Sequence, residues 1–192
     1  MMSRIKRLVL ELLDSHRVMT LATNRADGWP QATMVGYVND GFLVYCWVAR
    51  NAQKCANIRR DSRVSAAIGS DAPRPLDIKG LSLAGKAAFV ADEGEATHVL
   101  SLRRQRYPEY AALPPLVLRE GPEQRLASDP SPGAILLRIA PEIISVLDYS
   151  KGFGHSDLVT FSERDLDVHL QSVSHDWQAN DNAPETTSSQ PA

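Results

Sequence analysis

Short apolar runs that alternate with turn residues are the feature that most limits what this chain can fold into. The first three runs occupy residues 18–24, 30–38 and 42–48. Asp27-Gly28 and Asp40-Gly41 separate them, and glycine after aspartate readily adopts the positive φ that a tight hairpin needs. The pattern predicts three strands that follow one another as an antiparallel meander.

The second half of the chain repeats this pattern. Strand-like runs lie at 63–68, 76–90, 134–140, 143–148 and 158–161. Gly80 and Gly85 interrupt the second of these runs, where a bulge or the sharp bend of a barrel is expected, and Pro141 separates the next two. Strands spaced this closely do not suit a doubly wound parallel sheet. We therefore expect a mainly β, antiparallel barrel with flanking helices at its ends.

Helices are predicted at four places. The first covers residues 5–13 and ends before His16, and the second is short, with Asn51 as its N-cap. Asp92 caps a third helix that runs to about Arg106, and Ser162 begins a fourth. We expect one domain over residues 1–175, with a proline-rich irregular insertion at about 107–133. The polar segment 176–192 is expected to be a disordered tail.

Composition excludes several classes of protein. A net charge of −2 and a pI near 6.2 argue against a nucleic-acid binder, whose surface would be basic. No apolar stretch approaches the roughly 20 residues that a membrane helix needs. Without a recognisable secretory signal, the expected location is the cytoplasm, where Cys46 and Cys55 would be reduced packing residues.

A basic turn precedes the second helix. Arg50 lies in the entering loop and Lys54 in the first helical turn. Cations are unfavourable there because a helix N-terminus already has partial positive charge. A bound anion removes the conflict, and phosphate is the usual occupant. The alternative is a basic turn whose long side chains simply reach water.

The run from Gln31 to Gly36 could complete such a site. If this strand lies beside the basic turn, its backbone groups could pair with a planar heteroaromatic ring. Gly36 would permit close approach, and Thr33 or Gln31 could add side-chain hydrogen bonds. The alternative is that these residues simply reflect the ordinary alternation of a sheet strand.

Metal and hydrolase chemistry find less support. His155, His169 and His175 occur near three aspartates, but their spacing places few of them on one face, so no metal site is expected. No nucleophile-elbow sequence is present for a serine hydrolase.

Several segments together resemble the pyridoxamine 5′-phosphate oxidase-like family of FMN-binding split barrels. These are Val18–Asn24, Asp27–Pro30, Arg50–Lys54 with Asn57-Ile58, and Arg63–Ser65. The resemblance covers residues 1–90 well and 135–148 loosely. It implies a split β-barrel that forms a homodimer, with two FMN sites at the subunit interface.

The resemblance also implies roles for individual residues. Lys54 matches the phosphate-binding lysine of the family and Gln53 its frequently basic neighbour, whereas Ala52 stands where a serine is common. Thr33 stands where the oxidase has an arginine, and Val48 where it has a threonine. The implied cofactor contacts are Gln31, Thr33, Met34, Val35, Gly36, Trp47, Val48, Arg50, Asn51, Gln53 and Lys54.

The segment 147–155 departs from the tryptophan- and arginine-bearing stretch of the authentic oxidase, so that activity is not expected. Lys151 and His155 in this loop could instead contact an anion, a reduced flavin, a substrate or the partner subunit, or be solvated charges of a flexible loop. The leading hypothesis is an FMN-dependent oxidoreductase acting on a small molecule. The alternatives are a non-catalytic protein that binds flavin, haem or deazaflavin, and a homodimer that serves as an interaction protein without a cofactor.

Overall fold

The computed structural model describes residues 4–69, 71–109 and 133–161, together with the backbone of residues 174–175. β-strand is the commonest secondary structure in this part of the chain, and three helices flank the strands, as the sequence predicts. The helices are α1 (Arg4–Ser15), α2 (Gln53–Arg60) and α3 (Glu93–Arg106). The strands are β1 (Val18–Asn24), β2 (Pro30–Gly36), β3 (Val38–Asp40), β4 (Leu43–Ala49), β5 (Arg63–Gly69), β6 (Lys79–Phe89), β7 (Ala134–Asp148), β8 (Ser156–Thr160) and β9 (Ser174–His175).

The strands form one curled antiparallel sheet in the order β2-β1-β5-β6-β7-β4-β3. The long strand β7 pairs with β6 along one edge. Its other edge pairs with β4 in its first half and with β8 in its second half. This arrangement is that of a split barrel and confirms the predicted antiparallel, mainly β fold.

The predicted three-strand meander is wrong. The run 30–38 breaks at Tyr37, so β2 pairs with β1 while β3 pairs with β4, and β2 and β4 are not neighbours in the sheet. At the break, the Tyr37 N–H donates to the Arg17 carbonyl oxygen, and the buried Tyr37 hydroxyl donates to the Leu13 carbonyl oxygen at 2.8 Å. These two contacts turn the chain between the hairpins.

Gly85 and Pro141 lie opposite each other at a bulge between β6 and β7. The bulge at Gly85 confirms its prediction, but Pro141 does not divide two strands, since β7 continues through it. The register passes from Ala84–Ile143 to Gly85–Pro141, which leaves Glu142 as the extra residue. A proline, which has no N–H, is tolerated at a bulge because the hydrogen-bond ladder is already interrupted there. The predicted break at Gly80 is wrong, because Gly80 pairs with Gly69 inside the sheet.

The concave side of the sheet encloses the main hydrophobic core. Helix α1 contributes Val9 and Leu13 to this core, and α2 contributes Cys55 and Ile58, so the two helices cover it. Helix α3 packs on the other side of β3 and β4, where Val99 meets Val38 and Tyr45 in a second cluster.

Element boundaries differ from the prediction at several places. A 3₁₀ turn at Pro75–Asp77 delays β6 to Lys79, and β8 begins at Ser156 rather than at residue 158. Asp92 caps α3 as predicted, since its side chain accepts from the Glu95 N–H at 2.7 Å. The predicted helix from Ser162, the tail 176–192 and most of the insertion 107–133 lie outside the described residues. None of the described helices is long and apolar enough to span a bilayer.

Candidate functional site

Helix α2 begins one residue later than its sequence predicts. Its N-cap is Ala52, in extended conformation (φ −67°, ψ 145°), and no side chain caps the helix. The predicted N-cap, Asn51, is exposed and precedes the helix. The reason is a tight turn in which the Ala52 N–H donates to the Ala49 carbonyl oxygen at 2.9 Å.

The first turn of α2 contains no acidic residue, and Lys54 lies within it, half-buried. Burial raises the pKa of the neighbouring Cys46 thiol to about 12, and the charge of Lys54 acts in the opposite direction. Positive charge therefore stands at a helix start that no side chain of the helix neutralises or caps, which is a favourable place for an anion.

Arg50 lies against the start of β7. Its N–H donates to the Gly133 carbonyl oxygen at 2.8 Å, and its guanidinium Nη2 donates to the Ala134 carbonyl oxygen at 3.3 Å. These contacts hold the turn that leads from β4 into α2. Arg50 thus has a structural role in addition to the one predicted for it.

Strand β2 is an edge strand of the described sheet, with β1 as its partner. Gln31, Thr33 and Val35 point inward and are half-buried, whereas Met34 is 77% exposed. The Thr33 hydroxyl oxygen is buried and has no hydrogen-bond partner among the described residues. Buried polar atoms are normally hydrogen-bonded, so this atom is suited to a ligand.

Gly36 ends β2, and the packing of the chain does not explain its identity. A Cβ atom added there would meet the Arg17 carbonyl oxygen at 3.7 Å, which is ordinary van der Waals contact. The fold would therefore tolerate alanine at this position. A glycine here is consistent with a molecule that approaches the backbone closely.

Asn57 connects α2 to both strands of the first hairpin, and the sequence analysis did not identify this role. Its Nδ2 donates to the Thr23 hydroxyl at 2.9 Å and to Gln31 Oε1 at 3.1 Å. Its Oδ1 accepts from Gln53 Nε2 at 3.0 Å. Helical spacing gave no signal for this role, because residues one or two apart, such as Asn57 with Ile58 and Cys55, do not share a helix face.

The structure links Gln53 on α2 to Gln31 on β2 through Asn57 but separates Trp47 from them. Neighbouring residues of a strand point to opposite faces. Val48 therefore lies in the main core, while Trp47 faces α3, where the Arg103 guanidinium lies 4.8 Å from the centre of its ring.

Lys151 and His155 both lie against Asp157 in β8. The Lys151 ammonium is 2.5 Å from the Asp157 carboxylate, and His155 Nε2 is 3.3 Å from the same oxygen. Burial favours a higher pKa for Asp157, but the hydrogen bonds and charges of Lys151 and His155 outweigh it and lower the pKa. In the described part of the chain, no three His, Cys, Asp or Glu side chains are grouped to hold a metal ion.

Comparison with protein families matches residues 5–147 to the family described as pyridoxamine 5′-phosphate oxidase. The chain belongs to this family. The matched segment runs from α1 into β7 and includes both α2 and β2. No protein of curated function matches the chain.

Several solved structures have the same fold as this chain. A conserved hypothetical protein from Mycobacterium tuberculosis is 25% identical, with a TM-score of 0.59, over 79% of this chain and 88% of its own. The haem storage protein HutZ from Vibrio cholerae is 19% identical, with a TM-score of 0.55, over 73% and 92% of the two chains. General Stress Protein 26 from Bacillus anthracis is 19% identical, with a TM-score of 0.54, over 76% and 95%.

Proposed function

We propose that this chain binds FMN, with the phosphate at the start of α2 and the ring along β2, and acts as an oxidoreductase on a small molecule. The observation that supports this most is the position of Lys54. It stands in an uncapped first turn without acidic residues, and Asn57 links that turn to the edge strand β2, where the Thr33 hydroxyl has no partner among the described residues.

The phosphate end of the site relies on backbone and charge. The first N–H groups of a helix have no intrahelical partner and are ready donors to a phosphate. Lys54 adds a charge-assisted contact. Ala52 offers no hydroxyl, so the backbone and Lys54 would hold the phosphate largely by themselves.

The ring end of the site relies on β2. Its outer edge, which pairs with no other strand of the described sheet, offers backbone donors and acceptors, and the Thr33 hydroxyl adds a side-chain partner. Gly36 leaves room for close approach. When bound, FMN supplies the capacity to accept and return a hydride, whereas the chain binds it, orients it and shapes its electrostatic surroundings.

We also propose that the protein is a homodimer, with FMN at the subunit interface. The outer face of β2, β1, β5 and β6 has two rows of small or uncharged residues that cross all four strands. The rows are Ala32-Ala22-Ser65-Ala84 and Met34-Thr20-Ala67-Ser82. All but the half-buried Ala22 are exposed. A contiguous uncharged sheet face of this kind favours association with a second copy.

A non-catalytic protein that binds flavin, haem or deazaflavin is the second candidate. The likeness to the haem storage protein HutZ favours it. Among the histidines with described side chains, Nδ1 of His16 contacts the Leu12 carbonyl oxygen and Nε2 of His98 contacts Asp40. Neither contact supports axial ligation of haem, and the position of Lys54 in the uncapped first turn of α2 makes flavin the leading ligand.

Fluorescence titration of the purified protein with FMN and with riboflavin tests the proposed site. Lys54→Ala should lower FMN affinity by about 1.5–3 kcal/mol, the scale of a hydrogen bond to a charged group. Riboflavin, which lacks the phosphate, should bind the variant and the wild type equally, and Lys54→Arg should retain most of the affinity. Equal FMN affinity in Lys54→Ala and wild type would exclude the phosphate from this helix.

Spectroscopy separates the candidate functions. Anaerobic addition of NADH or NADPH to the FMN-loaded protein should bleach its yellow absorption if the protein is a reductase. Persistent yellow colour with every reductant tested would favour a flavin-binding protein without turnover. A Soret band after haem titration, with no affinity for FMN, would favour haem binding instead.

A further inference from the structure

We infer that Asn57 is a positioning residue that fixes the start of α2 relative to β2 and so sets the span between the two ends of the FMN site. The inference rests on the proposed FMN binding. It concerns a residue that lies inside the protein, 2% exposed, and that need not touch the cofactor. Asn57 would act through Gln53 on one element and Gln31 on the other.

The carboxamide of Asn57 has contacts on both of its ends. Its nitrogen donates to Gln31 on β2 and to Thr23 on β1, and its oxygen accepts from Gln53 in the first turn of α2. The amide nitrogen and the amide oxygen of Asn57 thus together connect the turn that would hold the phosphate to the strand that would hold the ring. A side chain without donor and acceptor at these places cannot form the same link.

The other end of α2 is attached to β1 independently. Arg60 Nη2 donates to the Asn24 carbonyl oxygen at 2.7 Å, and Asn24 Nδ2 donates to Asp61 Oδ2 at 3.1 Å. Cys55 and Ile58 also pack into the core. Loss of the Asn57 carboxamide should therefore leave α2 docked while loosening the connection between its first turn and β2.

Asn39 provides a matched control at the other end of the barrel. It is also a buried asparagine, 3% exposed, and its Nδ2 donates to Asp14 Oδ1 and to the Gly41 carbonyl oxygen at 3.0 Å each. Asn39→Ala removes the same kind of buried hydrogen-bonding group as Asn57→Ala. The links that Asn39 makes run to α1 and, through Arg106, to α3, away from α2 and β2.

The decisive measurement is the ratio of the riboflavin Kd to the FMN Kd, because it reports how well one ligand reaches both ends of the site. Asn57→Ala should lower this ratio about tenfold, a change that corresponds to the net free energy of roughly one hydrogen bond. Asn39→Ala should keep the ratio close to that of the wild type, even where urea unfolding shows an equal loss of stability.

An unchanged ratio in Asn57→Ala, or an equal fall in Asn39→Ala, would overturn the inference while leaving FMN binding intact. Wild-type protein that binds no FMN would overturn the proposed function together with it. If Asn57→Ala does not fold, Thr23→Val serves in its place, since it removes one hydrogen-bond partner of Asn57 and keeps the size of the side chain. The ratio should then fall in the same direction, and a wild-type ratio in Thr23→Val would contradict the inference.

Discussion

Gly85 faces Pro141 across the sheet so closely that a Cβ atom on Gly85 would lie 2.9 Å from the Pro141 Cα and 2.2 Å from the Ala140 carbonyl oxygen. The contact marks the point where β7 changes its outer partner from β4 to β8. One strand can serve both halves of the split barrel because the bulge at this point redirects it.

Gly85→Ala should destabilise the protein by about 3 kcal/mol, near the upper end of the usual cost of overpacking, because a backbone oxygen cannot move aside as a flexible side chain can. Urea denaturation would measure the loss. Gly36→Ala is the matched control, since its new methyl group would have only ordinary contacts, and it should change the free energy of unfolding little. Similar stabilities for the two variants would contradict this account of the bulge.

Thr33→Val should stabilise the cofactor-free protein by about 1 kcal/mol, because it removes a buried hydroxyl without a partner in the described structure. The same change should weaken FMN binding if that hydroxyl is a cofactor contact. Thermal unfolding and FMN titration measure the two effects separately. Thr23→Val provides the contrast, since the Thr23 hydroxyl accepts from Asn57 and its removal should destabilise. Destabilisation by Thr33→Val would show that its hydroxyl has a partner within the protein.

The ion pair around Asp157 should make stability depend on acid pH. The pKa of Asp157 is lowered in the folded protein, so the ionised carboxylate stabilises the fold above the unfolded value of about 3.9. That contribution is lost as the pH falls through the lower folded pKa. Urea unfolding between neutral and acid pH should show a shallower decline for Asp157→Asn than for the wild type. Lys151→Met should shift this loss of stability to higher pH. Parallel plots of the free energy of unfolding against pH for the wild type and the two variants would contradict the role of the ion pair.

Sedimentation should give a mass of about twice the 21.1 kDa of the chain. Ala67→Glu places a charge in the middle of the uncharged face of β1, β2, β5 and β6, and it should yield monomers because the charge would have to be buried without a partner. Gln105→Glu adds the same charge on α3 and should leave the dimer intact. A monomeric wild type, or an intact dimer in Ala67→Glu, would exclude this face as the interface.

Local signals in the sequence predicted most of the elements. Alternation of apolar residues located the strands, Asp92 located the start of α3, and Gly85 located the bulge, because each of these depends on residues close in the chain. The break at Tyr37 was missed because it depends on the Arg17 and Leu13 carbonyl oxygens, which belong to other elements. The prediction that Pro141 divides two strands was wrong because β7 continues through a bulge at this point. That bulge depends on Gly85, which is far away in sequence.

The features of the candidate site that depend on nearby residues were likewise predictable, and those that depend on distant residues were not. The charge of Lys54 at a helix start and the nearby strand that contains Gln31 were visible as patterns. The bridge through Asn57 was not, since it joins three elements that only the fold brings together. Likewise, the loop position of Lys151 gave no indication that its ammonium would bind Asp157. That Lys54 and Gln31 contact a cofactor stays a prediction.

The pairing of β4 with β7 has a consequence for biosynthesis. β4 cannot pair at Val44 with β7 until Ile139 has been synthesised. The N-terminal half therefore leaves the ribosome with an unpaired backbone edge on β4. Closure needs almost the entire described chain, and contacts this distant in sequence form slowly. During translation, chaperones or a neighbouring nascent chain would meet that edge before β7 does.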